Sequence, residues 1–254
     1  MVSVLEITDF QNSARCSSLL YSSTESFLKT NLTIRAGEVC GVVSDFGCGS
    51  WGLVTCLGGR GQENPSGKIL LDGRIASNEE LQKHAGFLGE ARFSEIKPPF
   101  TVREGIERAL ECSQLPYCAE EIKKIFCLSD ARFDRPIENV SGEIRQISAA
   151  IHFAAGKDIF CYPWLNALDI VRFQTAVELG TIDFLRKNQK IVLVPSSQKK
   201  ILKSQCDRVL IYDRGKTTLT VRRWGRRKSG ECSHRWHKDL SDQKYPDDIR
   251  RFRR

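Results

Sequence analysis

Histidine is scarce in this sequence, and long apolar runs are missing from it. Four histidines occur in 254 residues, and none lies between His152 and His234. Whatever the fold, that interval offers no imidazole to act as a general base, metal ligand or proton switch. No stretch approaches the roughly 18 to 20 uninterrupted apolar residues that a membrane span needs. The opening MVSVLEITDF also lacks the basic-then-apolar order of a secretory leader. A soluble, cytoplasmic protein is expected. Two further gaps matter below: no lysine stands between Lys29 and Lys68, and no carboxylate between Asp158 and Asp169.

With 41% hydrophobic residues, the chain can bury a full core, and its length suits one large domain and a tail. The ten cysteines, at 16, 40, 48, 56, 112, 118, 127, 161, 206 and 232, are scattered and several sit in apolar runs. They are read as mostly reduced and buried, not as a disulfide framework. Charge is uneven. Residues 222–254 hold twelve Lys/Arg against five Asp/Glu and so carry +7 of the net +8. The nearly neutral remainder argues against a protein whose whole surface is made for nucleic acid.

Val4 to Phe10 and Leu32 to Ile34 read as strands separated by a polar Ser/Thr stretch, and Ala36-Gly37 as a turn. Val39 to Val43 (VCGVV) has the unbroken apolar pattern of a strand buried on both faces of a parallel sheet. The loop SDFGCGSWG follows, then a helix over Leu53 to Leu57 that stops at Gly58-Gly59. KILLDG reads as strand and turn. Helical spacing recurs over Thr101 to Leu110, Ala119 to Phe126, residues 144–155, and Val171 to Leu185 as one long helix. Buried strands are expected at Ile159 to Tyr162, Ile191 to Val194 and Arg208 to Tyr212. This alternation implies an α/β fold with a mostly parallel core sheet, a small antiparallel N-terminal subdomain and a helical subdomain over about 90–155. From Val221 the pattern gives way to charge, so residues 1–220 are read as the domain and 221–254 as a basic tail.

Strand, glycine loop, helix is the arrangement that lets backbone N–H groups face a phosphate. Gly47, Cys48, Gly49, Ser50, Trp51 and Gly52 are the candidate residues. The phosphate-loop pattern G-x-x-x-x-G-K-[ST] requires a Lys and a hydroxyl where this chain has Ser50 and Trp51. Gly47, Gly49 and Gly52 also spell the dinucleotide fingerprint G-x-G-x-x-G, with Asp72 twenty residues on, and a NAD-binding fold is the rival reading. The glycines at 58, 59 and 61, and the LLDG turn around Asp72, count against it.

Order and spacing favour another family. Tyr21 stands sixteen residues before Gly37-Glu38, LTIRAGEVCGVV precedes the loop, and SGKILLDGR, PFTVREGI, Val140-Ser141-Gly142-Glu143 and Asn166-Ala167-Leu168-Asp169 follow in turn. Across roughly residues 4–216 these segments resemble an ATP-binding-cassette (ABC) nucleotide-binding domain. The resemblance makes Tyr21 the candidate for stacking on adenine. It makes Ser141, Gly142 and Glu143 a half-kept signature and Asp169 the loop after the second nucleotide motif, both offered to a partner's ATP. It also places Tyr162 and Pro163 where that family has its Mg-binding Asp and catalytic Glu, Gly89-Glu90 near its glutamine loop, and Pro195-Ser196 at its switch histidine. No catalytic residue and no metal ligand is therefore assigned.

Phosphoryl transfer to water depends on Mg²⁺, the loop Lys and a residue that orients the water. The chain supplies none of these from its own site. Losing two charge-assisted contacts at about 1.5 to 3 kcal/mol each lowers affinity on the order of a hundred- to ten-thousand-fold. ATP binding is thus expected to be weak or absent, Mg²⁺ binding is not expected, and hydrolysis at this site negligible. The resemblance further implies a second cassette, as homo- or heterodimer, and a membrane permease, with the chain peripheral at the inner membrane face. The alternative is a non-enzymatic regulatory or interaction module on the same fold. Cys232, His234 and His237 lack a fourth ligand for a structural zinc site. Arg223-Trp224, Arg235-Trp236 and Arg251-Phe252-Arg253 suit an RNA or acidic-lipid surface, although a merely solvated tail is the preferred reading. His152, Phe160 and Trp164 are read as structural.

Overall fold

The computed structural model describes residues 1–18, 21–90, 93, 99–140, 143–213 and 216–221. Ser141, Gly142, Cys232, His234, His237 and, beyond Val221, the basic tail lie outside these. Residues 1–222 form one compact unit. Its elements in order are β1 (Val4–Gln11), β2 (Ser13–Ser17), β3 (Ser22–Ser26), β4 (Thr30–Arg35), β5 (Val39–Val43), α1 (Ser50–Leu57), β6 (Ser66–Leu71), β7 (Arg74–Ile75), α2 (Asn78–His84), β8 (Ala85–Phe87) and α3 (Val102–Ser113). There follow α4 (Ala119–Ile125), α5 (Asp130–Phe133), α6 (Ile144–Ala154), β9 (Ile159–Cys161), α7 (Ala167–Phe173), α8 (Ala176–Lys187), β10 (Ile191–Ser196), α9 (Lys199–Gln205), β11 (Arg208–Asp213) and β12 (Lys216–Val221).

The core sheet runs β12-β11-β5-β10-β9-β8, parallel throughout except for the β11–β12 pair at one edge. β5, β9 and β10 are buried at every residue, which is why their sequences are unbroken apolar runs. Their alternate side chains feed two cores. Val39 and Val43 join the helical side with α3, α6 and α8, while Cys40 and Val42 join the side holding α1 and the N-terminal strands. Gly41 is needed for that packing, because a Cβ there would approach Leu202 Cβ of α9 to 3.1 Å.

A second, antiparallel sheet has the order β4-β1-β6-β7. In β1 a bulge between Ile7 and Phe10, with Asp9 at φ 48°, restores the phase so that Leu5, Ile7 and Phe10 are all buried.

The polar stretch after β1, to which no element was assigned, holds two strands: β2 and β3 pair as a hairpin from Ser13↔Ser26 to Ser17↔Ser22. The long helix over Val171 to Leu185 is two helices, because Asn166 caps α7 through Leu168 and Asp169, and Thr175 starts a new helix by accepting from Glu178 N–H. Of the nine described cysteines, all free thiols, Cys16, Cys40, Cys56, Cys161 and Cys206 are buried but Cys48, Cys112, Cys118 and Cys127 are exposed. The expected burial thus holds for five of these nine, Cys206 just after α9 among them.

Phe160 and His152 are core residues, the latter packed so closely on β8 that a Cβ at Gly86 would reach 2.4 Å from its ring. Trp164 is half-buried against the core on the α1 side.

Candidate functional site

The glycine loop leaves the C-terminal end of β5, the edge of a parallel sheet where α/β proteins place their ligands. Gly47 (φ 80°) and Gly49 (φ 104°) both take left-handed backbone, which turns successive N–H groups inward and opens α1 at Ser50, three residues earlier than periodicity indicates. α1 has no acidic residue in its first turn and no capping side chain of its own. Its first N–H groups must therefore find acceptors elsewhere.

They find them in the hairpin. Glu25, in the middle of β3, is fully buried. Its Oε1 accepts from Gly47 N–H at 3.0 Å, and its Oε2 from the N–H groups of Gly49, Trp51 and Gly52 at 3.1, 3.0 and 3.0 Å. Ser50 N–H donates to Ser44 Oγ at 3.1 Å, and Leu53 N–H closes on Gly49 O. Every backbone N–H from Gly47 to Leu53 is thus paired within the protein, that of Cys48 with Asp45 O. The glycines make the approach feasible: a Cβ at Gly49 would stand 2.8 Å from Ser26 O and one at Gly52 2.8 Å from Glu25 O.

Ser50 and Trp51 are both buried within α1, and Ser50 Oγ has no hydrogen-bond partner among the described residues. Cys48 is exposed at the loop's crest. Above the loop the aromatic rings close ranks. Phe46 lies 5.8 Å from Tyr21, 6.2 Å from Trp51 and 5.1 Å from Trp164, and Tyr21 Oη accepts from Asn166 Nδ2 at 2.6 Å. The adenine-stacking candidate is therefore brought to the loop, but its hydroxyl is tied to the N-cap of α7.

At the ends of the neighbouring strands several polar side chains are already engaged by the protein. Tyr162 is buried and donates to Glu178 Oε2 at 2.9 Å. Burial, reinforced by that carboxylate, pushes its phenol well above the ordinary range. Burial also raises Glu178, with Arg145 offsetting part of the effect at 3.0 Å. Arg145 reaches Asp169 as well, at 3.5 Å. Ser196 donates to Leu165 O at 2.8 Å. Glu90 forms a bidentate pair with Arg60 at 2.9 Å, and Arg60 lies over the Phe87 ring. Glu143 accepts from Ser129 and pairs with Arg132 at 2.8 Å, which ties it to the start of α5. No cluster of three or more His, Cys, Asp or Glu suited to a metal occurs among the described residues.

The cradle therefore brings together Gly47, Gly49, Trp51, Gly52 and Tyr21, with Asp169 beside Arg145 on the next strand's helix. The residue that sequence reasoning missed is Glu25. A demand for an anion was legible in the uncapped glycine loop, but SSTES carries no apolar alternation to mark its glutamate as buried. In this structure the loop's N–H groups already have Glu25 as their acceptor, Trp51 is buried in α1, and neither Tyr162 nor Pro163 offers a carboxylate. Asp72, the acidic residue of the NAD reading, is spent on Ser3 and Val4 N–H in the β6–β7 turn.

No family model matches the chain. Among curated proteins it is similar to the methionine import ATP-binding protein MetN of Haemophilus ducreyi, 24% identical over 201 residues, which covers 75% of this chain and 58% of that protein. MetN of Rhizobium johnstonii is 24% identical over 214 residues, covering 80% and 59%. The chain thus spans somewhat under three-fifths of the length of these relatives. Of solved structures, an ATP-binding cassette seen as a dimer in a post-hydrolysis state with ADP and Pi matches at TM-score 0.62 and 14% identity, covering 87% of this chain and 99% of that one. CbiO1 of Clostridium perfringens, part of an ABC transporter complex, matches at 0.59 and 13%, covering 87% and 89%. The fold is that of an ABC ATPase cassette, and the sequence relatives and structural neighbours are ATP-binding cassettes of ABC transporters.

Proposed function

We propose that this chain is a non-hydrolysing ABC cassette, a subunit that pairs with a competent cassette on a membrane permease and contributes to the partner's ATP site instead of working its own. The observation that carries the reading is Tyr162-Pro163 at the end of β9. A buried phenol bound to Glu178 stands where a hydrolase needs a metal ligand and a water-orienting carboxylate. Neither group can cancel the charge that develops in phosphoryl transfer, and Ser196 on the adjoining strand is engaged with Leu165.

Asp169 is one of the residues assigned to the partner's nucleotide, and its side chain is partly exposed beside Arg145. Asp169 sits in the first turn of α7, capped by Asn166, and Leu168 and Val171 of that helix are 78% and 63% exposed. Ser141 and Gly142 complete the set assigned to the partner's nucleotide. The test is to co-purify the chain with its partner cassette and compare ATP turnover with that of the partner alone. The reading expects faster turnover in the pair and a return to the partner-alone rate with Ser141→Arg; equal rates throughout contradict it.

A second reading, a regulatory module without nucleotide chemistry, draws support from the self-filled cradle. It expects the pair's ATP turnover to be indifferent to Ser141→Arg while binding to the partner persists. The basic tail as an acidic-lipid or RNA contact belongs to either reading.

A further inference from the structure

We infer that Glu25 is a built-in ligand of the glycine loop: its carboxylate takes the place of a nucleotide phosphate and holds loop, hairpin and α1 in a ligand-bound arrangement with no nucleotide present. The inference deepens the reading above. It does not share its basis, which is Tyr162-Pro163.

A fully buried carboxylate is costly unless hydrogen bonds and opposite charge compensate it. Among the described residues no Lys, Arg or His forms an ion pair with Glu25. Its compensation is the four backbone N–H groups and the positive end of α1. The dependence is mutual, because α1 has no capping side chain of its own and, among the described residues, Glu25 is the acceptor recorded for the N–H groups of Gly47, Gly49, Trp51 and Gly52. A single negative charge also matches this cradle. A di- or triphosphate brings several charges, which a loop without lysine or metal ligands cannot balance. The loop is shaped to the strand as well, since its glycines let the β3 backbone pass within a distance no Cβ would permit.

Tethering settles the competition. Glu25 is positioned by five paired residues of the β2–β3 hairpin, so its effective concentration at the cradle exceeds that of any free anion. Cellular phosphate compounds must displace it to enter. The occupant of this site is thus permanent, and the hairpin's register is what delivers it.

Thermal unfolding of the full chain in inorganic phosphate and in acetate, at ionic strength matched with chloride, tests the inference. For the native chain the midpoint should not respond to either anion. Glu25→Ala should lower it by about 5 °C or more, and phosphate or acetate should then raise it saturably by restoring an anion to the vacated cradle. Glu25→Gln should show the loss without the rescue, because the amide still fills the volume. A native midpoint that climbs with phosphate as steeply as the alanine variant's, or a folded Glu25→Ala chain that neither anion stabilises, overturns the inference. Should the variants fail to fold, amide hydrogen exchange on the native chain decides. Slow exchange at Gly49, Trp51 and Gly52 without ligand supports it, and exchange at the rate of exposed loops overturns it. None of these failures touches the non-hydrolysing reading, which turnover of the paired cassettes tests separately.

Discussion

Tyr162, Glu178, Arg145 and Asp169 form a connected group, and its members depend on one another. Glu178 is almost wholly buried, so removing Arg145 leaves a carboxylate whose remaining partners, the Tyr162 hydroxyl and the Gln146 side chain, carry no charge. Breaking such a pair costs about 3 to 5 kcal/mol. Arg145→Ala should lose that much in urea unfolding at neutral pH, and Arg145→Ala with Glu178→Gln should recover part of it. The pH dependence has a definite sign. Glu178's folded value is raised above 4.5, so its protonated form is favoured by folding and its destabilising contribution grows as pH climbs from 4.5 through the raised value. Asp158 behaves oppositely. Burial pushes it up, but the hydrogen bond and charge of Lys190, with help from His84, outweigh that and leave it below 3.8. Its contribution is present above 3.8 and lost as pH falls through the depressed value. At this scale the sequence was legible where a residue type was missing, as with lysine after Lys29 or carboxylates after Asp158. It was not legible where a residue's role depends on a distant partner: Glu25 and Gly52 meet only because the hairpin lies on α1.

The hairpin is the element on which the site turns, and no element was assigned to it. β2 alternates over only five residues, with Ala14 and Cys16 inward, and β3 is wholly polar, so neither carries a pattern as long as the one that revealed β1. β5, β9 and β10 were plain from composition because both of their faces are buried. The division of α7 from α8 was hidden for another reason: Ile170 and Phe173 on one side, and Ile182 and Leu185 on the other, each keep helical spacing around a Thr175 cap that periodicity does not see. The fit between hairpin and loop gives a direct check. Gly49 combines φ 104° with a Cβ position 2.8 Å from both Ser26 O and Phe27 Cβ. Gly49→Ala should therefore cost about 2 kcal/mol or more through strain and displacement of β3. A shift in the urea midpoint without change in slope is the expected reading.

As a whole molecule the chain joins an ABC cassette fold to a glycine loop whose N–H groups its own Glu25 occupies. The fold was readable because the spacing of its segments follows the core sheet, which strand burial imposes. The closed cradle was only half readable: absent charges were visible in the sequence, the carboxylate that replaces them was not. No described helix is long and apolar enough to cross a membrane, so attachment to one rests on the proposed permease. The charge distribution, +7 in residues 222–254, leaves the cassette itself nearly neutral and without a cationic surface to attract nucleotide from a distance. The central claim is that this cassette's own nucleotide site is spent. Calorimetric titration of ATP into the full chain, with and without Mg²⁺, tests it most directly. The account predicts no saturable heat at submillimolar ATP and no effect of the metal; tight binding that requires Mg²⁺ would contradict it.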